Sequence, residues 1–140
     1  VIVLDTNVVS ELTKIRPAPA VVEWFDSSTS GELWLTSISL AEILYGVARL
    51  PAGTRKAQLA NTYVEVIERA FQYRILAFDE SAASLYASIV VHRQSGGRPI
   101  SVQDAQIAAI CRANSASLAT RNTREFEHTG VPLINPWDTQ

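Results

Sequence analysis

The sequence predicts a three-layer α/β domain built on a mainly parallel sheet. Five short apolar runs, at residues 1–4, 33–36, 75–78, 117–120 and 132–134, lack the in–out alternation of a half-exposed strand and read as strands covered on both faces. Segments of helical periodicity separate them, and strands that alternate with helices pair in parallel through crossovers. The 140 residues are enough for one domain with a substantial core, expected to span 1–140.

The helical segments follow in order. The run VIVL passes through Asp5-Thr6-Asn7 into an amphipathic stretch. Residues 20–25 form a helical pattern after Pro17 and Pro19. Residues 40–50 form another, with Leu40, Leu44 and Val47 on one stripe. Leu59, Tyr63, Val66, Ala70 and Tyr73 line a third, and Leu85, Tyr86, Ile89 and Val90 mark a fourth. Ala105, Ala108, Ala109 and Cys111 give a fifth, whose small residues allow close packing. Breaks fall at Pro51-Ala52-Gly53 and at Gly96-Gly97-Arg98-Pro99, and neither is long enough to link two domains.

Composition narrows the function classes. Hydrophobic residues make up 47% and charged residues 19%, as in ordinary globular proteins. No apolar stretch approaches the roughly 18 residues of a membrane span. No basic-then-apolar leader precedes the first apolar run, so a cytoplasmic protein is expected. Cys111 is the only cysteine, which excludes an internal disulfide and a thiolate zinc cluster. A net charge of −2 does not advertise nucleic acid, but basic residues cluster at Lys14 and Arg16, at Arg49, Arg55 and Lys56, and at Arg121 and Arg124. Trp24, Trp34 and Trp137 read as core or subunit contacts.

The carboxyl edge of a parallel sheet is its usual binding edge. Asp5 follows the first strand and falls there. Glu42, in LTSISLAEIL, is expected in the first turn of the helix after the second strand. Asp104, in SVQDAQIAAI, lies in the first turn of the helix feeding the fourth strand. That helix runs antiparallel to the strand, so its start shares the edge. Asn122 follows the fourth strand in LATRNTREF.

Carboxylates that converge in a crevice repel one another and are poorly solvated. A hard divalent cation offsets this, and Mg²⁺ and Mn²⁺ prefer oxygen ligands. Capping explains some of the same residues equally well. Ser39-Leu-Ala-Glu42 matches a capping box, and Ser101-Val-Gln-Asp104 is its Asp analogue. Asp5, Thr6 or Asn7 could each cap a helix, and Asp79 follows its strand as Asp5 does. Spacing alone leaves open which acids meet.

Four fragments in order, LDTNVVSEL, the Glu of SISLAEILYG, the Asp of SVQDAQIAA and LATRNTREF, together resemble the PIN-domain ribonucleases. The likeness is to toxin subunits of type II toxin–antitoxin modules of the VapC kind, and FDE and VPLINPW look like the FitB branch. The resemblance covers essentially the whole chain. It implies a five-stranded parallel sheet with the third strand at its edge, which moves Asp79 away from the crevice. It implies an acidic cluster of Asp5, Glu42 and Asp104 as catalytic and metal-holding residues for Mg²⁺ or Mn²⁺. Thr6, Thr120 and Asn122 would support it, with Thr6 holding Asp5 and local waters. A fourth acid common in the family is replaced by Asn122, and Glu125 stands three residues later, so one metal is expected. RNA as substrate, a cognate DNA-binding antitoxin and a homodimer follow from the same resemblance.

Two other functions compete. A small-molecule phosphatase would use an Asp after the first strand, but the dehalogenase-type pattern wants a second acid where Asn7 stands. A receiver domain would need a late lysine, and the two lysines, Lys14 and Lys56, come early. A non-catalytic binding module would use the acids only as caps. His92 reads as a partly exposed helix residue and His128 as a loop residue, outside the motif, which disfavours histidine-driven cleavage.

Overall fold

The computed structural model describes residues 1–29 and 31–138. Strand β1 is Ile2–Leu4, followed by α1 (Thr6–Leu12) and α2 (Pro19–Ser27). Next come β2 (Leu33–Thr36), α3 (Ser37–Ala48), α4 (Thr54–Val66), a π-helical turn (Ile67–Phe71) and β3 (Ile75–Leu76). The chain continues through α5 (Glu80–Ser95), α6 (Val102–Ala113), β4 (Ser117–Ala119), a 3₁₀ turn (Thr123–Phe126) and β5 (Leu133–Ile134). The five strands form one sheet in the order β3-β2-β1-β4-β5. Every neighbouring pair is parallel, with Val3 opposite Trp34 on one side and Leu118 on the other.

The uninterrupted apolar runs have a direct cause. Successive strand residues point to opposite faces, and both faces are covered. Val3, Leu118 and Leu133 pack with α5 and α6 on one face, while Leu4, Ala119 and Ile134 pack with α1 and α2 on the other. Ala105, Ala108, Ala109 and Cys111 are fully buried, and α5 lies close against this small-residue stripe of α6. Burial pushes the Cys111 thiol up to about 12, so it is a core group rather than a nucleophile. Among the described residues no helix is long and apolar enough to cross a membrane.

Two local expectations need correction. On α3 the buried positions are Ser39 and Ile43, and Leu44 is 58% exposed rather than part of the inner stripe. On α4 the stripe through Tyr63 and Val66 shifts at the π-helical turn, where an extra residue turns Ile67 and Phe71 inward. Tyr73 therefore lies beyond the helix, exposed, with a positive φ of 56°. The amphipathic stretch after Asp5 is a complete helix, α1, capped by Asp5 itself: its carboxylate accepts from the Thr6 N–H.

Sheet order fixes where a ligand can enter. From β1 the chain builds outward to β2 and β3, then returns to place β4 and β5 on the other side. The strand order reverses beside β1, and the crevice outside the carboxyl ends at such a switch is where ligands bind in open α/β sheets.

Candidate active site

A crevice of 470 Å³ opens at this switch point and is lined by Asp5, Glu42, Asp104 and Asn122, among others. Each comes from a different segment: Asp5 from the end of β1, Glu42 from α3, Asp104 from α6, and Asn122 from the segment after β4. Asp79 is elsewhere, capping α5 through a 3.0 Å bond from the Ala82 N–H.

Asp5 is the most constrained of the acids. It is 7% exposed. The Thr6 N–H donates to Oδ1 at 2.8 Å, and the Thr120 hydroxyl donates to Oδ2 at 2.9 Å. Burial raises its proton affinity, and the bonds from Thr120 and Thr6 oppose that rise. Thr120 is fully buried and also accepts from the Asn122 N–H at 3.0 Å, so it supports Asp5 from beneath rather than lining the crevice.

Glu42 is not the capping-box residue that its spacing allowed. Helix α3 begins two residues before Ser39, and the Thr36 hydroxyl is the cap, accepting from the Ser39 N–H at 3.0 Å. Glu42 is therefore the sixth residue of α3, in its second turn, with its carboxylate free to face the crevice. Burial pushes its proton affinity up, and the charges of Asp5 and Asp104 add to this. The neighbouring Thr6 hydroxyl eases its ionisation without reaching the geometry of a hydrogen bond.

Asp104 lies in the first turn of α6, where the Ser101 hydroxyl accepts from its N–H at 3.2 Å. The serine half of the expected cap is thus present. Burial raises the Asp104 proton affinity, the Ser101 hydroxyl lowers it, Asp5 and Glu125 raise it, and the Arg93 charge lowers it. The three acids thus sense one another electrostatically.

These side chains suit a hydrated hard cation. Their donors are all oxygens, and the Thr6 Oγ1 is buried beside them with no hydrogen-bond partner among the described residues. An orphaned hydroxyl next to repelling carboxylates fits a water of an ion's shell. Among the described residues no three acid, imidazole or thiol groups close tightly enough to cage a bare ion. Mg²⁺ needs no such cage, since it keeps several waters and uses one or two carboxylates.

Sequence reasoning missed several residues here. Asn7 donates to Asp5 Oδ2 at 3.4 Å and to the Thr120 hydroxyl at 3.3 Å, and its Oδ1 accepts from the Arg121 N–H at 3.2 Å. Its position in the first turn of α1, two residues after Asp5, was the available signal. Trp137 packs on the core as expected and in addition lines the crevice, with the Arg121 guanidinium 5.0 Å from its ring centre. Arg93 is 5% exposed and donates to the carbonyls of Arg98, Glu125, Glu127 and Pro99. It ties the loop before α6 to the 3₁₀ turn, so the segments carrying Asp104 and Asn122 are held together. Nothing in the sequence marks it out, because a basic residue in a helix's last turn reads as solvated. His92 and His128 are exposed and line a separate cavity with Arg93 and Arg98.

Fold and crevice together define a doubly covered parallel α/β protein with an acidic site at its strand-order switch. The chain belongs to the PIN domain family, whose model matches residues 2–132. It is 39% identical over 137 residues to VapC ribonuclease Y4jK of Sinorhizobium fredii, covering 98% of each chain. It is 39% identical over 136 residues to Toxin FitB of Neisseria gonorrhoeae, covering 97% of this chain and 98% of that one. A solved structure of FitAB bound to an IR36 DNA fragment superposes with a TM-score of 0.92 at 38% identity, covering 100% of this chain and 98% of that one.

Proposed function

We propose that the chain is a divalent-metal-dependent endoribonuclease, the toxin component of a toxin–antitoxin pair, acting as a single PIN-like domain over residues 1–140. The observation that carries this reading is the meeting of Asp5, Glu42 and Asp104, from three separate elements, beside the partnerless Thr6 hydroxyl. The phosphatase and binding-module alternatives are not favoured, because the chain's relatives bear the names of ribonucleases and toxins.

Asp5 and Asp104 would hold the cation, with Glu42 beside them. Mg²⁺ or Mn²⁺ supplies neutralisation of the crowded charge and polarisation of a phosphoryl oxygen and a water. Glu42, whose proton affinity is raised, accepts the proton of the water that attacks phosphorus. The bond from phosphorus to the leaving oxygen then breaks, and solvent protonates that oxygen. Thr120 and Asn7 hold Asp5 in one orientation, so the acid does not reorganise as charge develops. Asn122 offers its amide to the phosphate without adding negative charge.

The solved relatives are toxin–antitoxin complexes, which supports a DNA-binding antitoxin as partner. Exposed Leu44 and Tyr45 on α3 provide apolar surface for a protein contact and support a homodimer. A cytoplasmic location fits an RNA substrate.

The test is incubation of the antitoxin-free protein with single-stranded and structured RNA, in Mg²⁺, in Mn²⁺ and in EDTA, beside an Asp104→Asn control. Metal-dependent cleavage that the substitution abolishes, with melting temperature retained, is the expected result. Full activity of Asp104→Asn, or cleavage that persists in EDTA, would sink the reading.

A further inference from the structure

The crevice is electrostatically two-ended. At one end burial raises the proton affinities of Glu42 and Asp104 and the charge of Asp5 adds to both, whereas the charges of Lys14 and Arg121 bear on Glu11. Glu11 is buried and pairs with the Lys14 ammonium at 2.8 Å, leaving the Lys14 side chain 59% exposed. Arg121 differs. Its main chain is tied to Asn7, the residue that also contacts Asp5. Its guanidinium lies on the Trp137 ring and makes no hydrogen bond or ion pair among the described residues. The Trp137 backbone N–H donates to Asn135 Oδ1 at 3.0 Å.

A guanidinium held over an indole keeps N–H groups available for a phosphate, and both are planar groups on which a base stacks. Beside a site that cuts a phosphodiester, such a pair has an evident use. We propose that Arg121 and Trp137, with Lys14, form a subsite for one unpaired ribonucleotide next to the scissile phosphate. The adjoining phosphate lies on Arg121 and Lys14, and the base stacks on the Arg121–Trp137 layer. This subsite rests on the ribonuclease reading and refines it: the substrate must be single-stranded or locally unpaired where it enters the basic end. Arg49 over Tyr45, 5.8 Å from its ring centre on α3, is a second pair of this kind outside the crevice lining and serves as an internal control.

The experiment separates binding from cleavage. Binding of a fluorescent single-stranded RNA octamer is measured in Mg²⁺ over a range of salt concentrations, in an Asp104→Asn parent. Arg121→Ala should weaken binding about tenfold and flatten the salt dependence by about 0.7 in the log–log slope, the value for one lost phosphate contact on a single strand. Trp137→Ala should weaken binding about tenfold, with partial recovery in Trp137→Phe, as loss of one stacked base implies. Trp137→Ala should leave the salt slope unchanged, and Arg49→Ala should change neither quantity. If Arg121→Ala matches Arg49→Ala in affinity and slope while the parent binds RNA, the subsite is overturned and the ribonuclease reading stands. If the parent binds no RNA and the unsubstituted chain cleaves none, both fall together.

Discussion

Asp5 and Arg93 are both buried charges, 7% and 5% exposed, yet their surroundings treat them in opposite ways. Arg93 points into carbonyl oxygens from two neighbouring segments, so backbone dipoles replace the water it lost. Asp5 has its hydrogen bonds too, but burial outweighs them, and it stands among acids of its own sign. One charge is compensated and holds the fold together. The other is left undercompensated, and an arriving cation or a proton would relieve it. Undercompensation, rather than burial as such, separates the charge of the proposed site from the structural one.

The sharpest way to break this contrast is Arg93→Ala. Removing the guanidinium deprives four carbonyls in two segments of their charged donor, and urea unfolding should show a loss of about 2–3 kcal/mol. Arg93→Lys should recover only part, because an ammonium cannot fork across separate segments. Since Arg93 joins the loop before α6 to the turn after β4, cleavage should fall as well. A loss under about 1 kcal/mol would mean the carbonyls find other partners and the charge is not structural.

The opposite substitution should act in the opposite direction. Glu42→Gln removes one repelling charge from the crevice without removing a hydrogen bond that holds the fold. In EDTA at neutral pH its melting temperature should rise by about 2–4 °C, equivalent to about 1 kcal/mol in a chain of this size. Cleavage should be lost. Adding Mg²⁺ should stabilise the unsubstituted protein more than the variant. A variant that melts lower in EDTA would show that Glu42 stabilises the fold and that the acids do not repel.

What the sequence revealed follows the same division. Five parallel strands were legible because β1 and β4 bury both faces, and a doubly buried strand must be apolar throughout. Asp5 and Asp104 were placed at the carboxyl edge because each sits next to a strand or helix end whose direction the topology fixes. Glu42 remained ambiguous between cap and crevice, since Thr36 and Ser39 are both competent caps and only the helix start decides. Asn7 meets Arg121 across 114 residues of chain and Arg93 meets Glu125 across 32, and no local pattern encodes such partners. The π-helical turn was hidden for another reason: one inserted residue in a long helix leaves the composition unchanged and only rotates the stripe.

The smallest predicted effect concerns two glutamates of the one crevice. Glu11 has its proton affinity lowered, first by Lys14 and then by the Ala18 N–H, whereas burial, Asp5 and Asp104 raise that of Glu42. Both share an unfolded value near about 4.3. A lowered folded value gives stability that is present above the unfolded value and lost as pH falls through the folded one. The destabilisation from Glu11→Gln should therefore be constant at neutral pH and fade on the acid side of that value. A raised folded value gives stability that is present below the unfolded value and lost as pH rises through the folded one. The gain from Glu42→Gln should accordingly be absent in acid and grow as pH rises. Melting temperatures in EDTA from pH 3 to 7.5, plotted as differences from the unsubstituted protein, should place the two transitions on opposite sides of the ordinary glutamate value. The Glu11 transition should be the shallower, because Lys14 is largely exposed and solvent screens the pair. Transitions on the same side would mean that the basic end does not shelter Glu11 from the acids, and that the crevice carries one field rather than two.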